Sequence, residues 1–457
     1  MTKQLIGSDR QRIVVGLGKT GLACARWLYR SGSLFRVVDS REEPPGLVDF
    51  QRECPGIEVV CGPFDADMLS QADELIVSPG LSLKEPAIAA ALASGVAVSG
   101  DIELFCRALA EKQSLTPVVA ITGSNGKSTV TTLAGQMAER AGWKVGVGGN
   151  IGTPVLELLE QGEKNIYVLE LSSFQLETTH SLRAVATVLN VTPDHMDRYD
   201  SLAAYHQAKH RIYRGCTHAI SNRDDALSAP LVNESVVQLS FGSGRPPGLN
   251  DFGTISEGGK IWLVQGLKRL LRTSELKVRG THNHANALAA LALGFSVGLP
   301  MEAMVEALRE FTGLPHRCEW IADHDGVSWF NDSKATNSGA AIAAIEGLGA
   351  DLAGDVVLIA GGDGKGADFA DLKPAVENYV RELIVFGRDG GKLAEAVSGQ
   401  ANISQAKDLK DAVKQASTLA RNGDAVLLAP ACASFDMFAS YEHRGDEFRK
   451  QVEVYHG

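Results

Sequence analysis

The sequence predicts an α/β protein with mostly parallel sheets, arranged as three domains in a row. Three observations predict it. Short apolar runs alternate with helical stretches along the whole chain, the pattern of a parallel sheet covered on both faces. Glycine-rich turns follow several of those runs, and 48 glycines are enough for many tight strand-to-helix turns. Two polar breaks that contain proline, 111–117 and 311–317, divide the series, and 457 residues suit two to four domains rather than one core. The expected limits are 1–110, 111–314 and 315–457.

The first series opens with a strand at Arg12–Gly16, a helix at Thr20–Ser31 and a second strand at Phe35–Asp39. Short strands follow at Glu58–Cys61 and Glu74–Val77, and residues 85–109 read as two helices around a strand. The second series begins at Pro117 with the run PVVAIT, followed by a helix from Ser128 to about Ala141. Its next strands are Asn165–Leu171 and Ala186–Val191. Residues 217–280 read as short strands with glycine-rich turns, a small antiparallel piece, and a helix at Asn283–Val297 closes the domain. The third series has strands at Val327–Asn331, Asp355–Ala360, Glu382–Phe386 and Ala425–Ala429.

Charge and cysteine usage narrow the function. A formal net charge of −11 argues against a nucleic-acid partner, which needs a basic face to displace counterions. It leaves room for anionic small molecules held by a local cluster of cations. The seven cysteines are scattered and include no C-x-x-C pair, so they read as reduced thiols. No N-terminal signal pattern is evident, and no apolar run reaches the ~18 residues a membrane span needs. A cytoplasmic protein with no membrane partner is expected.

GLGKTG at Gly16–Gly21 fits G-x-G-x-x-G between a strand and a helix, and Asp39 ends the next strand. The glycines allow backbone N–H groups to meet a diphosphate at a helix N-terminus. Alone, this segment reads as a dehydrogenase fingerprint or as a packed turn without ligand. ITGSNGKST at 121–129 has the order strand, G-x-x-G-K-S-T, helix. It reads as a phosphate loop, two residues shorter than G-x-x-x-x-G-K-[ST], with Lys127 on phosphate and the Ser128 hydroxyl placed for Mg²⁺. An exposed lysine on a plain glycine turn is the bland alternative. Glu170 ends the next strand, and TPDHMDRY brings Asp194, His195 and Asp197 to the same edge. Lysine with serine, glutamate and histidine at three strand ends make a joint case for a metal-assisted site. In the third domain NDSKATN, GGDGKGADF and PACASFDMF place Asp332, Lys334, Thr336, Asp363, Lys365 and Ser434 in turns after strands. They suit a substrate bearing a carboxylate, or ordinary turn chemistry. His316 and Arg317 sit in a hinge-like LPHR; the arginine could reach a phosphate, and is otherwise a solvated hinge residue.

These stretches, in this order, resemble the Mur ligases, ATP-dependent enzymes that add amino acids to the peptidoglycan precursor. The short loop G-[ST]-x-G-K-[ST]-[ST] is a mark of that family. VGGNIG, LELSSFQLE, DHMDRY, GLPHR, NDSKATN, GGDGK and PACASFD look like signatures of its D-glutamate-adding branch. The D-N-P-R pattern of the diaminopimelate-adding branch is not found. Folylpolyglutamate synthetase is a more distant relative with similar chemistry.

The resemblance implies three domains: a Rossmann-like one for the UDP-linked substrate, a central P-loop ATPase and a Rossmann-like one for D-glutamate. It implies an ATP-dependent ligase that joins UDP-N-acetylmuramoyl-L-alanine to D-glutamate through an acyl phosphate. The expected ATP contacts are Gly123, Ser124, Asn125, Gly126, Lys127, Ser128 and Thr129, with Asn283 and Asn286 at adenine and His316, Arg317 and Asp332 at phosphates and ribose. Two Mg²⁺ ions are expected, one on Ser128 and Glu170, the other on Glu170, His195 and a carbamylated Lys209; Lys127, Glu170, His195 and Lys209 are the catalytic set. Read unaided, Lys209 is a solvated helix lysine. The expected UDP-substrate contacts are Gly18, Lys19, Thr20, Asp39, Ser40, Arg41, Ser78, Gly80, Asn150, Ser172, Gln175 and His195. Thr336, Lys365, Ser434, Phe438 and Tyr441 match the D-glutamate site, although Tyr441 falls where relatives have Phe. A monomer is expected.

Overall fold

The computed structural model describes residues 10–192, 194–195, 198–278, 280–350 and 352–456. The chain divides into two compact units. One holds residues up to 258 with 262–270 and 287–307; the other holds 259–261, 271–286 and 308 onward. No helix among the described residues is long and apolar enough to cross a membrane.

The first unit contains two parallel sheets. The first is built from β1 (Arg12–Val15), β2 (Phe35–Asp39), β3 (Val59–Cys61), β4 (Glu74–Val77) and β5 (Ala97–Ser99), in the order β3-β2-β1-β4-β5. All its neighbours run parallel. The order reverses between β1 and β4, where a doubly wound sheet opens a crevice for ligands at its carboxyl edge. The second sheet is built from β6 (Val118–Thr122), β7 (Val145–Gly149), β8 (Ile166–Glu170), β9 (Val185–Val188), β10 (His218–Asn222) and β11 (Val237–Phe241), in the order β11-β10-β9-β6-β8-β7. It too is parallel throughout. β6 therefore lies between β8 and β9, so the three loops leaving β6, β8 and β9 emerge side by side. A shared apolar core runs through both sheets, from Val14 and Phe105 to Leu169 and Tyr205.

A three-stranded sheet, β12 (Phe252–Glu257), β13 (Lys260–Gln265) and β14 (Lys268–Arg272), contributes residues to both units. The second unit is built on β15 (Glu319–His324), β16 (Val327–Asn331), β17 (Val356–Gly361), β18 (Val380–Phe386), β19 (Asn402–Gln405) and β20 (Ala425–Leu428), in the order β15-β16-β20-β17-β18-β19. Only β15 is antiparallel to its neighbour. The loops after β16, β20 and β17 thus leave one sheet edge in adjacent positions.

Most expected strands appear within a residue or two of their limits. The reading of 217–280 as one small antiparallel piece needs correction, because β10 and β11 join the parallel sheet beside β9. β7, β15 and β19 were not expected. β7 reads VGVGG, and glycine ordinarily weakens a strand. Here close packing excludes side chains. A Cβ on Gly146 would meet the Tyr167 ring at 2.7 Å, and one on Gly148 would meet the Thr153 carbonyl oxygen at 2.2 Å. β15 (EWIADH) and β19 (NISQ) are edge strands with polar, partly exposed faces, which leave little apolar period to read.

Candidate active site

All five residues of β6 are buried, so the strand delivers its loop to a fixed point at the sheet edge. The chain then turns through Gly123 (φ +157°) and Gly126 (φ +80°) into the helix Lys127–Arg140. Gly126 is in the left-handed region that glycine adopts without penalty. A Cβ at Gly123 would meet Leu189 Cβ at 3.0 Å. The loop is pinned from the β9 side. Asn125 N–H donates to Asn190 Oδ1 (2.8 Å), Ser124 N–H donates to the Asn190 carbonyl (2.9 Å), and Ser124 Oγ donates to the Thr192 carbonyl (3.0 Å).

Two lysines meet over this loop. Lys127 Nζ donates to the carbonyls of Gly123 (2.9 Å) and Ser124 (2.8 Å). Lys209 Nζ, from the helix Leu202–His210, donates to the same Gly123 carbonyl at 2.7 Å. Lys209 is only 2% exposed and sits 4.4 Å from the centre of the Tyr205 ring. Burial first, and then the Lys127 charge, bring its amine down to about 7. The solvated lysine that the bare sequence suggests is therefore wrong: Lys209 is a core residue whose amine is partly neutral near neutrality.

Glu170, the last residue of β8, pairs with Ile121 in the register of β6 and so stands one strand over from the loop. It is 2% exposed. Its Oε1 accepts from Asn150 Nδ2 at 2.8 Å, while Oε2 is buried without a hydrogen-bond partner among the described residues. An ionised carboxylate in such a place needs a cation or a donor. Gly149 (φ +103°) allows β7 to pass over it, because a Cβ there would fall 2.2 Å from the Glu170 carbonyl oxygen. The next residues cap a short helix, Ser173–Glu177: Ser172 Oγ accepts from Gln175 N–H, and Gln175 Oε1 accepts from Ser172 N–H (3.1 Å). Gln175 Nε2 donates to Asp101 Oδ2 at 3.0 Å, so both ends of this amide are engaged within the protein.

His195 follows β9 with φ +56°, half exposed, its ring 5.0 Å from that of Phe174. Asp197 lies outside the described residues. Ser128 and Thr129 occupy the first turn of the helix after the loop, partly exposed. Among the described residues no three His, Cys, Asp or Glu side chains group as a metal site. The donor set at this edge is mixed: a hydroxyl, a buried carboxylate, an imidazole and a partly neutral amine. The bare Glu170 Oε2 fits a divalent cation.

Around the first sheet's switch point, Gly16, Gly18, Lys19, Thr20, Asp39, Ser40, Arg41, Ser78 and Gly80 line one pocket of about 430 Å³. Every first-domain residue expected to contact the UDP-linked substrate is among them. Asp39 is 1% exposed, and it is engaged within the protein. Its Oδ2 accepts from Leu17 N–H (2.6 Å) and Arg41 Nη2 (2.6 Å), and its Oδ1 accepts from Arg41 Nε (2.8 Å). Burial would raise its carboxyl, but these donors outweigh burial and hold it below the usual range. A dehydrogenase would present this aspartate to a ribose hydroxyl. Here the group offered to the pocket is the half-exposed Arg41 guanidinium, which suits an anion.

The second unit gathers its three loops at one edge. Asp363 and Ala433 exchange N–H···O bonds (3.0 and 2.9 Å), joining the loops after β17 and β20. Lys365 (φ +51°) is exposed, and its Nζ lies 6.0 Å from the Phe435 ring. Ser434 is buried, and its carbonyl accepts from Phe438 N–H at 2.8 Å. Lys334 Nζ donates to Tyr441 Oη at 3.3 Å, so the extra hydroxyl of this tyrosine has a partner. Thr336 N–H donates to the Lys334 carbonyl at 2.8 Å. His316 differs from a solvated hinge residue: it is 7% exposed, has φ +61°, and its Nδ1 lies 3.1 Å from Asn331 Nδ2. Arg317 is exposed. Burial raises the Asp332 carboxyl to about 6. Asn286 Nδ2 donates to Asn283 Oδ1 at 3.1 Å on the helix Thr281–Ser296.

Sequence reasoning missed Arg444. Its guanidinium is fully buried and donates to Ser333 Oγ (2.9 Å), the Ser333 carbonyl (2.8 Å) and the Cys432 carbonyl (3.1 Å), tying two loops together. Nothing local marks it, since a helix arginine is ordinarily solvated. Asp101 was missed for the same reason.

Comparison with known proteins accounts for this arrangement. Residues 10–100 match the Mur ligase MurD-like N-terminal domain, 121–294 the Mur ligase middle domain, and 316–432 the Mur ligase glutamate ligase domain. The chain is 56% identical to a UDP-N-acetylmuramoylalanine–D-glutamate ligase from Pseudomonas aeruginosa, over 98% of this chain and 99% of that protein. It is 53% identical to the enzyme of that name from Marinobacter nauticus, over 98% and 99%. Among solved structures, a UDP-N-acetylmuramate-alanine ligase from Thermotoga maritima aligns over 98% of this chain and 100% of that one, with a TM-score of 0.53 and 20% identity, a likeness of fold. With three family domains in sequence and relatives matching along nearly its full length, the chain belongs to the Mur ligases.

Proposed function

We propose that the protein joins UDP-N-acetylmuramoyl-L-alanine to D-glutamate, with ATP converted to ADP and phosphate. The observation that carries the chemistry is the buried Glu170 oxygen, without a hydrogen-bond partner among the described residues, one strand from a phosphate loop where Lys127 and Lys209 share one carbonyl. The choice of substrates is supported by relatives more than half identical along their whole length that bear that ligase name.

The L-alanyl carboxylate attacks the γ-phosphorus of ATP; an O–P bond forms, the bond to the β-phosphate oxygen breaks, and ADP leaves. The D-glutamate amine then attacks the acyl carbon, loses a proton, and phosphate departs with the C–O bond. A carboxylate nucleophile needs no general base. What it needs is relief from the repulsion between two anions, a task for positioning and electrostatics. Lys127, and the N–H groups of Gly123, Gly126, Ser128 and Thr129, would hold the phosphates, in a loop shaped by Ser124 and Asn125, whose own N–H groups are engaged with Asn190. Mg²⁺, when bound, would screen that repulsion. We assign two ions, one to Ser128 and Glu170, the other to Glu170, His195 and a carbamylated Lys209. The amine near 7 supports carbamylation, which consumes the neutral form: a C–N bond to CO₂ forms and a proton is released.

Gly18, Lys19, Thr20, Ser40, Arg41, Ser78 and Gly80 are the proposed contacts of the uridine diphosphate, joined by Asn150, Ser172 and His195 near the reacting carboxyl. Asp39 and Gln175 would act there by orienting Arg41 and Ser172. Thr336, Lys365, Ser434, Phe438 and Tyr441 are proposed for D-glutamate, Asn283 and Asn286 for adenine, and His316, Arg317 and Asp332 for phosphate and ribose. We further propose domain limits of 1–110, 111–314 and 315–457, a cytoplasmic location and a monomer. The test is phosphate release with Mg²⁺ and ATP. It should require the muramoyl nucleotide, and amide product should form with D-glutamate and not with L-alanine. Absence of release under those conditions refutes the reading.

A further inference from the structure

The short helix Ser173–Glu177 follows directly on Glu170, and its five residues are too few to persist alone. The helix Asp101–Glu111 grips it at both ends. At the start, Asp101 Oδ2 accepts from Gln175 Nε2 at 3.0 Å, and Gln175 Oε1 accepts from Ser172 N–H (3.1 Å) and Ser172 Oγ (3.2 Å). Past the end, Glu103 accepts from His180 N–H (2.8 Å), Ser181 N–H (2.9 Å) and Ser181 Oγ (2.9 Å). The two helices approach so closely that a Cβ on Gly100 would fall 2.3 Å from Thr178 Oγ1. Asp101 and Gln175 are each 2% exposed.

An amide can face either way, and its two ends differ: one donates, the other accepts. Burial raises the Asp101 carboxyl to about 6; above that pH it is ionised and only accepts, which decides the matter for Gln175. With Nε2 held by Asp101, Oε1 must face Ser172, and the turn between Glu170 and the helix is fixed. Glu103 makes no contact with that amide; it secures the far end. Asp101 Oδ1 is buried and has no well-aligned hydrogen-bond partner among the described residues, so the Gln175 amide is the one side chain seen to engage this carboxyl there.

We infer that Asp101 is a positioning residue for ligation: through Gln175 it sets the Ser172 turn beside Glu170, and so the seat of the muramoyl carboxylate. This rests on the function proposed above, and wild-type phosphate release tests that function separately. The experiment compares Asp101→Asn with Asp101→Ala in the full chain. It measures KM for UDP-N-acetylmuramoyl-L-alanine, KM for ATP, kcat and the melting temperature. Asparagine can offer Gln175 either its oxygen or its NH₂, so it fixes the amide's direction only in part, and the muramoyl KM should rise about two- to fivefold, less than for alanine. Alanine should raise it about ten- to a hundredfold, the effect of losing one buried charge-assisted hydrogen bond, with the ATP KM little changed. If the alanine variant does not fold, Asp101→Val, which fills more of the space, takes its place with the same expectation. A wild-type muramoyl KM in the folded alanine or valine variant, or equal damage from asparagine, overturns the inference.

Discussion

The most direct consequence of the site geometry concerns the two lysines on one carbonyl. Lys127 Nζ and Lys209 Nζ lie 2.9 and 2.7 Å from the Gly123 oxygen. The two nitrogens are therefore no more than about 5.6 Å apart, the sum of those two distances. Two charges at that spacing repel by about 3 kcal/mol at an effective dielectric of ~20, or about two pKa units, and by more if they lie closer. Burial is the larger cause of the fall of Lys209 to about 7, and the Lys127 charge is the second. Lys127→Met, which keeps the stem and removes the charge, should raise the Lys209 amine toward 8 or 9. The assay is carbon-13 NMR of the protein in labelled bicarbonate across pH. The wild type should form a carbamate signal with a midpoint near pH 7, and the methionine variant one shifted up by about one to two units. An unshifted midpoint, or a wild-type amine that titrates near 10, refutes the reasoning.

Three other outcomes are expected. Stability should depend on pH through Lys209. Its folded pKa lies below the unfolded value, so the unfolded chain binds more protons between about 7 and 10.5, and stability rises with pH through that window. Denaturant melts of wild type against Lys209→Met should differ in slope there, and parallel curves would contradict the assignment. Gly149→Ala should be severe, since its Cβ would stand 2.2 Å from the Glu170 carbonyl oxygen at φ +103°. We expect about 2–4 kcal/mol of lost stability and a large fall in Mg²⁺-dependent phosphate release, read by denaturant titration and turnover. Arg444→Ala leaves the Ser333 and Cys432 carbonyls without their buried donor, at a cost of about 3 kcal/mol. KM for D-glutamate should rise while the ATP-independent binding of the muramoyl nucleotide holds.

Much of this arrangement was legible in the chain because it rests on local chemistry. A phosphate loop is a strand, a glycine turn and a helix start, all contiguous, so ITGSNGKST announces its own geometry. The pocket of the first sheet was equally readable, since G-x-G-x-x-G and the end of β2 are brought together by a single βαβ unit. The strands that escaped notice were those whose pattern is made by neighbours. β7 is glycine-rich because Tyr167 and Thr153 press on it, and β15 and β19 are edges with a wet face.

Residue types at short spacing, by themselves, determined the α/β class, the three successive strand–helix series and the strand, glycine turn and helix build of the loop at 123–129. Tertiary structure alone decided which polar groups would be buried together. It turned Lys209 from a surface lysine into a partly neutral amine, and brought the Leu17 N–H onto the Asp39 carboxylate. It left one oxygen of Glu170 bare, and set Asp101 and Arg444 behind the loops they hold. The physical reason is that pKa, desolvation and hydrogen-bond commitment depend on neighbours that are mostly far away in the chain, such as Gly123 for Lys209 and Ser333 for Arg444. A one-dimensional pattern gives the donors and acceptors, while folding chooses their partners.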